Sequence, residues 1–256
     1  AVRRMICYGA RPLAVSAFLY HINIADPNGQ FIASGAKKGL ERAGAKFGLK
    51  ISDRKIRFDY FSAHGPVSPT IIISLMGSID NKEKILTHQL KTKGNTVFVL
   101  GRSYDDINSS EYLEFYHGVQ DSPLPVFDID MEVKLKRVMA ELIDKGLISS
   151  ASPVGKGGLF FSLMRAGMPG GFGFDTSQMG GFESIFDAEI RKDAFLFGES
   201  MGRIIVGVPK AKVDDFVDFM RSTKLPFFTL GHVTRGEIRI DDESFGFIDK
   251  MIPRAK

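Results

Sequence analysis

A single cysteine, Cys7, stands among 256 residues, so no disulfide can form within the chain. The fold must be held by its core, and one free thiol fits a reducing compartment such as the cytoplasm. No apolar run approaches the roughly 20 residues that a membrane-spanning helix needs. The run at residues 70–79 is short and reads as a buried strand. No block of five or more basic residues occurs, and Lys and Arg are interleaved with acids. The net charge of +4 therefore reads as scattered surface lysine rather than a nucleic-acid footprint. The P-loop spacing and the GxSxG nucleophile elbow are both missing, although spacing alone leaves a Ser–His–Asp triad open. The five histidines, His21, His64, His88, His117 and His232, lie far apart. None forms an HxH or HxxxH pair, which argues against zinc. Asp105-Asp106 and Asp241-Asp242-Glu243 could face a metal, but such acidic groups are more often solvated turns or helix caps.

What is present is ordinary for a globular protein: 44% hydrophobic and 25% charged residues, enough to bury a sizeable core. The opening residues, Ala1-Val2-Arg3-Arg4-Met5, have no targeting pattern and read as a chain met in mid-helix. Residues 2–9 read as a helix end closed by Gly9 and Pro12, and residues 13–20 as a strand. Asp26-Pro27-Asn28 opens a long helix with Ile32, Ala36, Leu40, Ala43 and Phe47 on one face. Residues 56–61 and 70–79 read as strands, with Gly65-Pro66 turning between them. The polar stretch 80–93 marks a boundary, giving domains 1–90 and 91–256.

In the second region Thr96 starts a strand. Asp128 or Asp130 caps a helix carrying Met131, Leu135, Val138 and Leu142, ended by Gly146. Residues 157–166 read as a short helix and 203–208 as a strand. Residues 212–221 form an amphipathic helix through Val213, Phe216, Val217 and Met220. Residues 227–234 and 237–241 read as strands around Arg235-Gly236, a hairpin candidate. The fold class is α/β (α+β), in two domains.

Two motifs carry candidate chemistry. Gly155-Lys156-Gly157-Gly158 precedes an apolar helix; its N–H groups could cradle a phosphate with Lys156 adding charge, or it could be a plain turn into the helix. Phe197-Gly198-Glu199-Ser200-Met201-Gly202-Arg203 sets a carboxylate, a hydroxyl and a guanidinium before a strand. That cluster reads either as a polar ligand site or as a strand-leading turn with a surface ion pair.

Longer blocks point to a family. Leu100-Gly101-Arg102-Ser103-Tyr104 is followed by Ser109-Ser110-Glu111-Tyr112-Leu113 and His117-Gly118. Asp193-Ala194-Phe195-Leu196-Phe197-Gly198-Glu199-Ser200 and Leu230-Gly231-His232-Val233-Thr234 follow in order. With Gly9-Ala10-Arg11-Pro12-Leu13-Ala14 near the start, nearly the whole chain resembles the small, glutaminase-lacking form of phosphoribosylformylglycinamidine synthase, and more exactly its C-terminal half. The resemblance implies an AIR synthase-like half: an N-terminal α/β domain, incomplete at its start, and a C-terminal α+β domain. In that family two similar halves share a barrel-like sheet. The parent reaction is attack of ammonia on a formamide activated by ATP, with magnesium on the phosphates and ammonia from a separate glutaminase subunit. ATP or ADP and Mg are thus the cofactors the resemblance implies. The catalytic histidines belong to the family's first half, absent from this sequence. A homo-dimer or larger assembly, including that N-terminal half, is the expected partnership.

Three ligand-binding motifs of the family are overwritten. Ser16-Ala17-Phe18-Leu19-Tyr20 replaces a strand ending in Thr-Asp or Thr-Asn, and Ala17 offers no oxygen. Asp53-Arg54-Lys55-Ile56-Arg57 replaces Gly-Gly-Asn-Val-Ser: no glycine remains for a phosphate to approach, and a lysine cannot ligate Mg²⁺. Ser150-Ala151-Ser152-Pro153-Val154-Gly155-Lys156-Gly157-Gly158-Leu159 keeps the frame of Ser-Ala-His-Asp-Val-x-Asp-Gly-Gly-Leu without its histidine and aspartates. No catalytic residue and no metal ligand is assigned. The ligand-binding candidates are Glu199, Ser200, Arg203, Gly157, Gly158, Lys156, Arg54, Lys55 and Arg57. Either the four cations Arg54, Lys55, Arg57 and Lys156 replace magnesium as counter-charge for a phosphate, or the site has lost its function. The pattern favours a degenerate half kept for its shape.

Overall fold

The computed structural model describes residues 1–20, 27–57, 61–63, 65–66, 69–177 and 190–251. His21, His64 and Asp26 lie outside the described residues, as does the side chain of Arg54. The chain divides into two compact units, one of residues 1–5 and 10–80, the other of residues 6–9 and 81–256.

The chain opens with helix α1 (Val2–Cys7), strand β1 (Arg11–Tyr20), helix α2 (Pro27–Phe47), strand β2 (Lys50–Arg57), the short pair β3 (Phe61–Ser62) and β4 (Gly65–Pro66), and strand β5 (Thr70–Ser78). β1 is the centre of a three-stranded sheet, parallel to β2 and antiparallel to β5. Pro12 leads the strand, and Val15, Ala17 and Leu19 alternate into its buried face, the period-two pattern of a strand covered on one side. Of the predicted α2 face, Ala36, Leu40, Ala43 and Phe47 are half-buried, while Ile32 stays exposed.

Three expectations for this unit need correction. The strand expected at 56–61 runs instead over Lys50–Arg57, so the positions aligned with a glycine-rich motif lie inside a ladder, Arg54 opposite Ala17 and Lys55 opposite Phe18. Gly65-Pro66 does not turn the chain but pairs, Gly65 with Ser62 and Pro66 with Phe61. The strand at 70–78 is present but not buried: Ile71, Ile72 and Met76 are 44%, 47% and 72% exposed. A continuous apolar run reads as burial on both faces, yet β5 is the sheet's edge and its side chains remain open to solvent.

The second unit contains β6 (Thr96–Leu100), α3 (Glu111–His117), α4 (Ile129–Asp144), β7 (Ser150–Pro153), α5 (Gly158–Gly167), β8 (Gly173–Thr176), α6 (Lys192–Phe197), β9 (Ile204–Val208), α7 (Val213–Thr223), β10 (Phe227–Thr234), β11 (Glu237–Ile240), β12 (Glu243–Phe247) and α8 (Ile248–Met251). Its strands form one sheet in the order β12-β11-β8-β10-β6-β9-β7. β6 alternates between two cores. Val97 and Val99 join Leu159 and Leu163 of α5, Phe195 of α6, and Phe174. Phe98 packs on Phe216 of α7 at a ring separation of 4.6 Å. Asp128 caps α4 through Oδ1, which accepts from the N–H groups of Asp130 and Met131 at 2.9 and 3.1 Å. Leu135, Val138 and Leu142 bury the predicted face.

The hairpin expected at Arg235-Gly236 does not form. β8 inserts between β10 and β11, antiparallel to the first and parallel to the second. Gly173 makes the insertion sterically feasible, because a Cβ there would lie 2.0 Å from the Glu237 carbonyl oxygen. A short connection between two strands signals pairing only when nothing else bids for the gap.

Candidate functional site

The sequence candidates of the second unit meet where three segments converge: the loop from β7 into α5, the start of α3, and the chain leaving α6. Glu199 is the hub. Its Oε1 accepts from the backbone N–H of Gly157 and from that of Glu111, both at 2.8 Å. One carboxylate thus closes the mouths of two helices, where the backbone dipoles favour negative charge. Lys156 points its Nζ to the Glu111 carboxylate. That hydrogen bond, reinforced by the charges of Glu111, Glu199 and Glu114, holds the Lys156 ammonium above the ordinary lysine range.

The Gly155-Lys156-Gly157-Gly158 turn therefore leads into α5 with a carboxylate already seated at the Gly157 N–H. Gly158 has a packing role as well. Its φ is +67°, and a Cβ would sit 2.6 Å from the Leu196 carbonyl oxygen and 2.8 Å from that of Gly198. Only glycine lets α5 begin this close to the end of α6.

Arg203 is not the surface group expected of a surface ion pair. It is 0% exposed, and its guanidinium donates to the carbonyls of Ser200 (3.0 Å) and Gly198 (2.6 Å) and to Ser103 Oγ (3.0 Å). Arg203 is a framework group that fixes the turn before β9 so that Glu199 reaches outward. Ser200 is also buried, and its hydroxyl has no hydrogen-bond partner among the described residues.

Aromatic residues outside the ligand-binding candidates complete the site. Tyr112 stacks on Phe197 at 4.9 Å and on Tyr116 at 5.2 Å, with interplanar angles of 15° and 9°. Burial, then the charge of Asp193, pushes the Tyr112 hydroxyl above the ordinary phenol range. These rings, with Phe115, Phe161, Glu111, Lys156, Gly157 and Arg165, line one pocket. The available signal was the aromatic run Tyr112, Phe115, Tyr116, His117, whose first three members fall at i, i+3 and i+4 of a helix.

The first unit holds the other candidates. Arg54, Lys55 and Arg57 all lie on β2, and the Lys55 ammonium sits 5.5 Å from the Phe18 ring centroid. Ala17 is buried in β1.

Magnesium does not fit the donors that the turn into α5 presents. The turn into α5 offers a lysine ammonium, and Ser152 is a buried residue of β7; a cation cannot ligate a cation. The N–H group at Gly157 already meets a carboxylate. Among the described residues no group of three or more His, Cys, Asp or Glu side chains converges. Asp106 instead accepts from the Asn108 N–H at 2.8 Å, a local turn, and Asp241 pairs with Lys192 at 3.1 Å. No helix in the described residues is long and apolar enough to cross a membrane.

Comparison with known proteins places this framework. The PurL subunit of phosphoribosylformylglycinamidine synthase from Alkaliphilus metalliredigens is 25% identical over 240 residues, 94% of this chain and 31% of the relative. That from Petrotoga mobilis is 29% identical over 248 residues, 94% of this chain and 32% of the relative. The chain thus spans about a third of the length of the curated relatives it matches. Among solved structures, Thermotoga maritima PurL complexed with FGAR superposes with a TM-score of 0.76 at 16% identity, over 96% of this chain and 40% of that one. The hydrogenase maturation protein HypE gives 0.68 at 15% identity, over 94% and 76%. The family model for the C-terminal domain of AIR synthase related proteins matches residues 92–242. Over half of its length, and in its fold, the chain belongs to the AIR synthase related family.

Proposed function

We propose that this chain is a non-catalytic counterpart of the C-terminal half of a formylglycinamidine ribonucleotide synthase, retained as a scaffold or assembly partner in purine synthesis. The overwritten turn into α5 supports the reading: Lys156 stands where the family has an acid, and its ammonium is held on Glu111. In this reading Arg54, Lys55 and Arg57 are cations accepted on β2 after the loss of ligand, and residues 1–90 and 91–256 are the two domains. The compartment is reducing and cytoplasmic, in keeping with one buried free thiol.

Calorimetric titration with ATP, ADP and formylglycinamide ribonucleotide, with and without Mg²⁺, tests it. No heat of binding is expected. Metal-independent micromolar binding would instead favour the four cations as phosphate counter-charge.

The edge strand supports an assembly. Among the described residues β5 pairs along one edge only, and its isoleucine-rich surface is open, the combination that pairs with another sheet. A second reading follows: the chain as a working half whose catalytic residues lie on a companion segment or chain. The match to about a third of each curated relative favours it. Matching structures include a PurLQS structure from T. maritima and a HypE–HypF complex. Light scattering of the chain should show a homo-dimer or larger species that Ile72→Glu with Met76→Glu converts to monomer. A monomer across a wide concentration range would remove the assembly role.

A further inference from the structure

Tyr116, Tyr112 and Phe197 form a column of stacked rings beside the start of α5, with Tyr112 at its centre, 5.2 Å from Tyr116 and 4.9 Å from Phe197. Phe161 of α5 meets the Phe197 end at 6.4 Å. The other end is open: Tyr116 is 75% exposed and its neighbour Phe115 77%. These five rings line a cavity of about 600 Å³, inside the roughly 300–1,000 Å³ range of small-ligand sites. Aromatic rings attract one another at centroid separations of about 4.5–7 Å, and a column that ends in an exposed ring leaves ring surface in water.

Every charged side chain of the lining already has a partner. Lys156 is held on Glu111. The Arg165 Nη2 donates to the Lys156 carbonyl and to Ser162 Oγ, both at 3.0 Å. Next to the lining, Glu199 accepts two backbone N–H groups, and Glu114 adds a negative charge that Lys156 feels. An anion in this cavity would give up its hydration without gaining a cation of its own, and would face three carboxylates. A cation would meet the Lys156 ammonium and the Arg165 guanidinium. The charges thus select an uncharged occupant, and the ring faces select a planar one.

We infer that this pocket binds an uncharged, planar aromatic small molecule that stacks on Tyr116 as a further ring of the column, flanked by Phe115 and Phe161. The Glu111–Lys156 pair stays closed when it binds. The inference needs neither nucleotide nor metal nor the assembly role of β5, so its failure and theirs are read in separate experiments.

Two fluorescent probes of similar shape test it on the full chain: N-phenyl-1-naphthylamine, which is neutral, and 8-anilinonaphthalene-1-sulfonate, which is anionic. The neutral probe should bind about tenfold more tightly, the factor set by burying one unpaired charge. Its affinity should hold steady between about 0.05 and 0.5 M salt, a range over which screening weakens ionic contacts. Phe115→Ala with Tyr116→Ala, both mostly exposed and so tolerated by the fold, should weaken the neutral probe about tenfold through the loss of two ring contacts. Absence of neutral-probe binding overturns the inference, as does an anionic probe that binds equally well or better. So does neutral-probe binding that survives the double substitution, or that is lost instead in the β5 variant Ile72→Glu with Met76→Glu.

Discussion

Replacing Glu199 by alanine removes an acceptor shared by residues 42 and 88 positions away in sequence, Gly157 and Glu111. Both N–H groups lie at partly buried helix starts, so the loss resembles the removal of two caps. Each cap costs about 0.5–2 kcal/mol, and hydrogen bonds to charged groups reach about 1.5–3 kcal/mol. The sum is about 2–4 kcal/mol. For a cooperative unit of 150–250 residues, each kcal/mol moves Tm by about 2–4 °C, so Glu199→Ala should melt about 4–16 °C lower. Glu199→Gln keeps a carbonyl acceptor and loses only the charge, so it should recover about half of the loss. Thermal unfolding followed by far-UV circular dichroism, with urea midpoints as a second measure, reads both variants. If Glu199→Ala unfolds within about 0.5 kcal/mol of the unmodified chain, like an ordinary surface substitution, the carboxylate is no structural hub and the account of the α5 seat fails.

Further outcomes follow from the same framework. Arg203→Met strands the Ser200 and Gly198 carbonyls in a dry site and should cost about 3 kcal/mol or more in urea unfolding, while Arg203→Lys, lacking the fork, should not restore it. Gly158→Ala forces a Cβ to within 2.6 Å of the Leu196 carbonyl at a positive φ and should destabilise by about 1–3 kcal/mol, without any ligand present. Because the Glu111 hydrogen bond raises the folded pKa of Lys156, the pair is fully formed below the ordinary lysine pKa and is lost only as pH rises through the raised value. An NMR titration of the Lys156 side chain should show this, and Glu111→Gln should return the lysine toward its ordinary range.

Local chemistry made much of the fold legible in sequence. Asp128 announced α4 because an N-cap is a contact within three residues, and Phe216 with Met220 announced α7 because a helical stripe repeats every turn. Reading failed where a distant segment decided the outcome. Arg235-Gly236 has the spacing of a hairpin, but β8, some sixty residues earlier, takes the place between the strands. Residues 70–78 have the composition of a buried strand, and composition does not say whether anything covers it. At the site, the motif blocks gave Glu199, Gly157 and Lys156 as candidates. The bonds that assign their roles span 42, 45 and 88 residues, and no local pattern records them. Arg203 was picked for its charge, yet that charge lies wholly inside the fold.

A crystal structure grown with saturating ATP and Mg²⁺ tests most directly whether the start of α5 takes a nucleotide. Glu199 Oε1 is expected on the Gly157 and Glu111 N–H groups, Lys156 on Glu111, and no nucleotide or metal at the start of α5 or along β2. A triphosphate ordered on the Gly157–Gly158 turn with magnesium beside it, and Glu199 displaced, would contradict that expectation.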